Sequence, residues 1–249
     1  MDEEQSFQFF LNFYADLPRQ GPGDDRITIS ILGLLTDLPS HPVTIDMGCG
    51  SGAQSLALAR AGCQVTAVDL YPVILDHLIE RIHHEDPMPL ITPVCAGMDT
   101  FRPAAPVDLI WSEGAVYIIG FENGLSLWNE HVNAGGYVVV SELTWFTLNP
   151  PSRLKAFWDQ EYPSMKTLDE NQAIVEKAGY RWMGSVALPD SAWDAFYTPQ
   201  KEKIDLLRKS GSLSQGEEEV LTTIEEEIRL FEEYRGMYGY VFYLMQRVA

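Results

Sequence analysis

The chain has 249 residues, 46% apolar and 21% charged, an ordinary globular composition that excludes a disordered chain. Seventeen Lys and Arg against 36 Asp and Glu give a net charge of −19, which argues against nucleic acid as a partner, because phosphate contacts draw on Lys and Arg. No run reaches the roughly 18 continuous apolar residues of a membrane span, and the acidic start MDEEQSFQFF lacks a signal peptide's basic head, so a cytoplasmic protein is expected.

Residues 6–17 place Phe7, Phe10, Leu11 and Tyr14 on one helical face. The turn-rich stretch Arg19-Gln20-Gly21-Pro22-Gly23 follows. Asp24 then caps a second helix whose stripe is Ile27, Ile31, Leu34, Leu35 and Leu38. From residue 43 short apolar runs alternate with helices. The runs are 43–47, 64–70, 90–95, 107–112 and 135–143, with helices over 53–61, after 70 and over 121–132. This rhythm predicts an α/β fold, a doubly wound parallel sheet covered on both faces. A helix near 169–178 leads to a strand over 180–189, and 239–248 reads as the last strand. Residues 190–235 between them are helical. Within 216–233 there are eight glutamates and one arginine, with Val220, Ile224, Ile228 and Phe231 as the apolar stripe. The charge run is expected to be the solvated side of a surface helix. One domain is expected: an N-terminal helical lid over 1–42, an α/β core over 43–189 and 236–249, and a helical insertion over 190–235.

Asp46-Met47-Gly48-Cys49-Gly50-Ser51-Gly52 follows a strand and opens a helix. Glycines there allow a sharp turn and a close approach to a ligand. The spacing is GxGxG rather than the GxGxxG of dinucleotide folds, and an acid before it would repel a pyrophosphate. Asp69 ends the next strand, where a carboxylate can accept both ribose hydroxyls of a nucleoside. Met98-Asp99 follows the third strand, suited to packing on an adenine and accepting from its amino group.

With these three elements at successive strand ends, residues 43–143 resemble the class I S-adenosylmethionine-dependent methyltransferases, through VTIDMGCGSG, VTAVDL, AGMD and VDLIWSEGAVY. RQGPG, IWSEGAVYIIGFENG, SELTWF and YGYVFY extend the likeness to a small-molecule group akin to the ubiquinone and menaquinone C-methyltransferases. The resemblance implies a Rossmann-like seven-stranded sheet with the last strand inserted antiparallel near 180–189. It implies S-adenosylmethionine as cofactor, S-adenosylhomocysteine as product and a small-molecule acceptor. It assigns Asp46, Gly48, Gly50 and Gly52 to the methionine part, Asp69 to the ribose, and Leu70, Met98 and Asp99 to the adenine. Ser112 and Glu113 would flank the transferable methyl, and Arg19, Gln20 and Gly21 would close from the N-terminal side.

Methyl transfer is an in-line displacement in which the nucleophile must be held in line with the leaving sulfur. Glu113 and Glu142, ending neighbouring strands, are the candidate bases or substrate anchors. Tyr14, Tyr117, Trp145 and Phe146 are candidate aromatic walls near a sulfonium. The stretch with Phe157, Trp158 and Tyr162 either roofs a pocket or packs helix on sheet. The helical insertion either borders the active site or forms a homodimer contact. His83-His84-Glu85-Asp86 reads as an exposed helix end rather than a metal cluster, and His131 as a helix-terminal histidine facing solvent. Cys49, Cys63 and Cys95 lack CxxC spacing, so neither a disulfide framework nor a metal site is expected. Ser112-Glu113-Gly114 departs from the Asn/Asp-Pro-Pro-Tyr of exocyclic-amine methyltransferases acting on adenine or glutamine. The alternatives are a protein that binds S-adenosylmethionine for other chemistry or none, and, more remotely, an NAD-dependent oxidoreductase.

Overall fold

The computed structural model describes residues 3–85 and 90–248. Five strands, β1 (Val43–Met47), β2 (Gln64–Asp69), β3 (Ile91–Cys95), β4 (Val107–Ser112) and β5 (Val132–Trp145), pair in parallel in the order β3-β2-β1-β4-β5. β7 (Tyr180–Ala187) and β8 (Tyr238–Arg247) complete the sheet, with β8 antiparallel between β5 and β7. The chain's last strand thus returns inside its predecessor, as the resemblance to the methyltransferases implies. A two-residue strand, β6 (Lys166–Thr167), pairs with the end of β5 and makes the sheet eight-stranded.

Alternation along β4 shows why a parallel strand is apolar throughout. Leu109 and Trp111 enter the core on one face, with α3 (Ala53–Arg60) and α4 (Pro72–His83), whereas Ile110 enters the opposite core with α5 (Phe121–Trp128) and α7 (Leu168–Lys177). Complete burial of a side chain such as Trp111 contributes roughly 1.5–3 kcal/mol. On the first face α8 (Asp190–Ser210) and α9 (Gln215–Glu233), the predicted insertion, pack with α1 (Glu3–Ala15). Their capping differs: Ser214 forms a capping box with Glu217 at the start of α9.

Three local expectations are corrected. The helix over 24–38 ends early: α2 covers Asp25–Leu32, capped by Asp24 and closed by Gly33. The helix over 121–132 stops at Trp128, and a 3-10 turn (Asn129–His131) feeds directly into β5. In that turn His131 is buried, 6% exposed rather than facing solvent, and burial lowers its pKa. Of the 83–86 cluster, Glu85 pairs with Arg60, and Asp86 lies outside the described residues. Trp158 is buried against Tyr238 with ring centroids 5.2 Å apart, so this part of the aromatic stretch packs helix on sheet. Among the described residues no helix is long and apolar enough to cross a membrane.

Candidate active site

The carboxyl ends of β1, β2 and β4 converge on the glycine loop. Gly48 N and Cys49 N both donate to Val68 O at 2.9 Å, tying the loop to β2. Gly48 has φ +72°, and a Cβ there would stand 2.4 Å from Ala115 Cβ and 3.0 Å from Met98 Sδ. Only glycine therefore lets the loop pass between the segments after β3 and β4. Gly50 has φ +56°, and its Cβ would meet Gln20 Oε1 at 2.6 Å. Gly52 is the N-cap of α3.

The predicted acids divide sharply in what they do. Asp46 is fully buried; Ser55 Oγ donates to one oxygen and Gln54 Nε2, at 3.4 Å, to the other. Burial raises its pKa to about 7 despite the Ser55 bond. Its carboxyl lies under the loop and fixes α3 to β1. Asp69 is half-buried, accepting from Gly50 N at 2.9 Å and Tyr71 N at 3.1 Å. Burial raises its pKa as well, opposed by those backbone donors. Leu70 beside it is 55% exposed, an apolar surface at the rim of the loop. Met98 is buried against Gly48, while Asp99 is exposed. Ser112 is buried and donates to Met47 O at 2.8 Å.

Glu113 is held by protein groups on both oxygens. Thr28 Oγ1 at 2.7 Å and Trp111 Nε1 at 2.9 Å donate to Oε1, and Arg19 lies 3.4 Å from Oε2. Arg19 also pairs with Asp25. Burial raises the Glu113 pKa, and the Arg19 charge opposes that rise. Glu113 therefore joins α2 and the N-terminal segment to the end of β4. In the same segment Gln20 accepts from Ser51 N at 2.7 Å and donates to Tyr14 O at 2.9 Å. Residues 19–23 are thus docked on the glycine loop, and a Cβ at Gly21 would sit 4.0 Å from Gly114 Cα.

Glu142 has a different setting. β4 last pairs with β5 at Ser112 and Val140, so Glu142 stands two residues beyond that pairing. It is 1% exposed, Tyr162 OH donates to its Oε1, and its Oε2 has no hydrogen-bond partner. Burial pushes its pKa up to about 8, against the pull of the Tyr162 bond. Tyr117 lies edge-on to Tyr162, with centroids 5.8 Å apart. Tyr14 stacks on Phe196 of α8 and donates to Gln200 Oε1 at 3.3 Å. Trp145 instead packs on Tyr238, in the aromatic layer beneath α8 and α9, and Phe146 is exposed.

Sequence reasoning missed two residues of this region. Tyr240 on β8 stacks on Trp193 and approaches the turn after β4, its hydroxyl 3.7 Å from where a Gly114 Cβ would be. Glu227 of α9 turns inward and accepts from Tyr197 OH at 2.8 Å. A signal for it existed: Ile224, Glu227, Ile228 and Phe231 share one helical face, so Glu227 interrupts an apolar stripe.

Residues 44–136 match the family described as a methyltransferase domain. No curated protein matches the chain. Among solved structures, the chain is similar to an S-adenosylmethionine-dependent methyltransferase from Thiobacillus denitrificans in complex with S-adenosyl-L-homocysteine, with TM-score 0.81 and 18% identity over 96% of this chain and 97% of that one. A methyltransferase from Geobacter sulfurreducens with the same ligand gives TM-score 0.81 and 17% identity over 96% and 97%. The [4+2]-cyclase SpnF gives TM-score 0.74 and 14% identity over 98% and 94%. Residues 44–136 are thus similar to a methyltransferase domain, and the chain has the fold of the class I S-adenosylmethionine-dependent methyltransferases.

Proposed function

We propose that the protein is an enzyme that transfers the methyl group of S-adenosylmethionine to a small-molecule acceptor. The reading rests chiefly on the glycine loop that a Cβ would fill, set between Asp69, the exposed Leu70 and Met98 at three neighbouring strand ends. These groups fit an adenosine: a carboxylate for the ribose diol, an apolar rim and a thioether for the purine. When bound, S-adenosylmethionine supplies an electrophilic methyl on a sulfonium.

The chain's residues take distinct parts in this reading. Asp46 and Ser112 hold the loop from beneath. Asp69 and Asp99 receive the ribose and the adenine. Gln20, Arg19 and Gly21 close the N-terminal side, with Arg19 kept in place by Glu113 and Asp25. Glu142, with its unpartnered oxygen, is the group able to take a proton from the acceptor, and Tyr14 and Tyr117 form the acceptor's walls. Glu113, whose oxygens are all engaged, is a positioning residue. Trp145 stands outside this set.

The similarity to SpnF carries a second reading, in which the same nucleoside site serves chemistry other than methyl transfer, because a fold does not fix a reaction. Calorimetric titration with S-adenosylhomocysteine tests the cofactor, and methyl transfer to a panel of amines, phenols, thiols and quinols tests the reaction. Absence of binding at high micromolar concentration overturns the first reading. Tight binding without turnover of any acceptor favours the second.

A further inference from the structure

In a chain with more than twice as many acids as bases, three arginines converge on one cavity. Its volume is about 380 Å³, within the roughly 300–1,000 Å³ usual for small-molecule sites. Arg19 comes from the segment before α2, Arg60 from the last turn of α3 and Arg81 from the last turn of α4. Leu56 of α3 and Phe196 and Pro199 of α8 give the cavity an apolar wall. Asp69, Leu70, Met98 and Glu142 do not line it, so it is separate from the groups proposed for the adenosine and the acceptor's proton.

Among the described residues Asp25 is the one carboxylate on the lining, and it faces two of the arginines: it pairs with Arg19 and lies 3.7 Å from Arg60. Glu113 and Glu85 engage Arg19 and Arg60 from outside the cavity. Arg81 has neutral partners alone. Its Nη1 donates to Pro18 O at 3.0 Å and its Nη2 to Leu17 O at 3.1 Å, and no carboxylate pairs with it among the described residues. A guanidinium carries five N–H donors, so three of those on Arg81 remain. The side chain is half-buried, and burial first, then the Arg19 charge, lowers its pKa. A partly desolvated cation beside a like charge is stabilised by an anion that settles between them.

We infer that the cavity binds a small organic oxyanion, a carboxylate or a phosphate monoester, whose head bonds to Arg81 and Arg60 and whose apolar body lies on Leu56, Phe196 and Pro199. Planar guanidinium forks match the oxygens of both heads. A bare inorganic ion would leave the apolar wall uncovered, which is why the ligand has a body. Ala53, next to Gly52, borders the cavity, and so does Arg19 of the segment docked on the glycine loop. The anion thus stands next to that loop without sharing the groups proposed for the cofactor. Its binding does not depend on the methyltransferase reading.

The test is calorimetric titration of the full chain with phenyl phosphate, benzoate and phenol at fixed ionic strength. At least one of the two anions is expected to bind about tenfold tighter than phenol or more, as for hydrogen bonds to a charged group, and the tighter of the two identifies the head. Arg81→Gln is expected to weaken that anion about tenfold and Arg60→Gln severalfold. The Arg60 side chain is half-exposed, so its variant still decides the matter if Arg81→Gln fails to fold once Leu17 and Pro18 are released. Phenol binding as tightly as both anions, or neither anion binding at millimolar concentration, overturns the inference. So does an anion affinity that is the same in Arg60→Gln and in a folded Arg81→Gln as in the parent. Competitive displacement of the anion by S-adenosylhomocysteine puts it in the cofactor site and overturns the inference too. Failure of S-adenosylhomocysteine itself to bind is a different result: it overturns the methyltransferase reading and leaves the anion titrations decisive for this site.

Discussion

The Tyr162 hydroxyl donates to Glu142 Oε1 and is the sole hydrogen-bond partner of that carboxyl among the described residues. A donor to a carboxylate favours its charged form, so this one bond opposes the rise that burial imposes on Glu142.

Tyr162→Phe removes that donor and raises the Glu142 pKa further. If Glu142 accepts the acceptor's proton, kcat/KM climbs with pH through a limb near 8 in the parent, and the limb moves to higher pH in the variant. A pH–rate profile of both proteins checks this. A variant whose limb stays in place, or moves to lower pH, removes Glu142 from the proton step.

The free protein is expected to lose stability as pH rises. An unfolded Glu ionises near ~4.3 and an unfolded Asp near ~3.9, whereas burial pushes Glu142 to about 8 and Asp46 to about 7. Between each pair of values the native state binds more protons than the unfolded one. Stability thus falls with increasing pH across that window and levels off above 8. In Glu142→Gln the decline is shallower between 5 and 8. Thermal denaturation at several pH values measures it; parallel curves for the two proteins would show that Glu142 does not contribute.

Asp69→Ala is expected to weaken S-adenosylhomocysteine binding by about 1.5–3 kcal/mol, the usual worth of hydrogen bonds to a charged group, or roughly tenfold to a hundredfold. The variant also releases Gly50 N and Tyr71 N, which Asp69 holds. Asp69→Asn keeps one acceptor oxygen and should lose less. Calorimetry on both variants separates the two effects, and an unchanged affinity in Asp69→Ala refutes the ribose assignment.

Glu113→Gln keeps an acceptor for Thr28 and Trp111 but removes the charge facing Arg19. A stability loss of about 1–3 kcal/mol is expected, near ~2–4 °C in Tm per kcal/mol for a domain of this size. Turnover per folded molecule should stay within about tenfold of the parent, since a positioning residue is not in the proton step. A collapse in kcat at unchanged Tm would make Glu113 the base after all.

Much of the molecule is determined by local pattern, which is what a sequence carries. The apolar runs at 43–47, 64–70 and 107–112 are strands because both faces of a parallel sheet are buried, and the runs say so without any partner. The glycine loop is equally local: φ +72° at Gly48 and φ +56° at Gly50 are conformations that glycine adopts without strain. The fold and the cofactor loop were legible for this reason. The roles of the acids were not. Glu113 and Glu142 both lie at strand ends in the sequence, yet Thr28 and Arg19, 85 and 94 residues away, engage one and leave the other with a free oxygen. Glu227 breaks the apolar stripe of α9 in the sequence, yet only the packing of α9 beside α8 gives it Tyr197 as a partner. His131 was buried by the turn into β5. Burial and pairing are properties of what lies across the fold, so the charge a carboxyl carries, and the work it can do, was decided only when distant segments met.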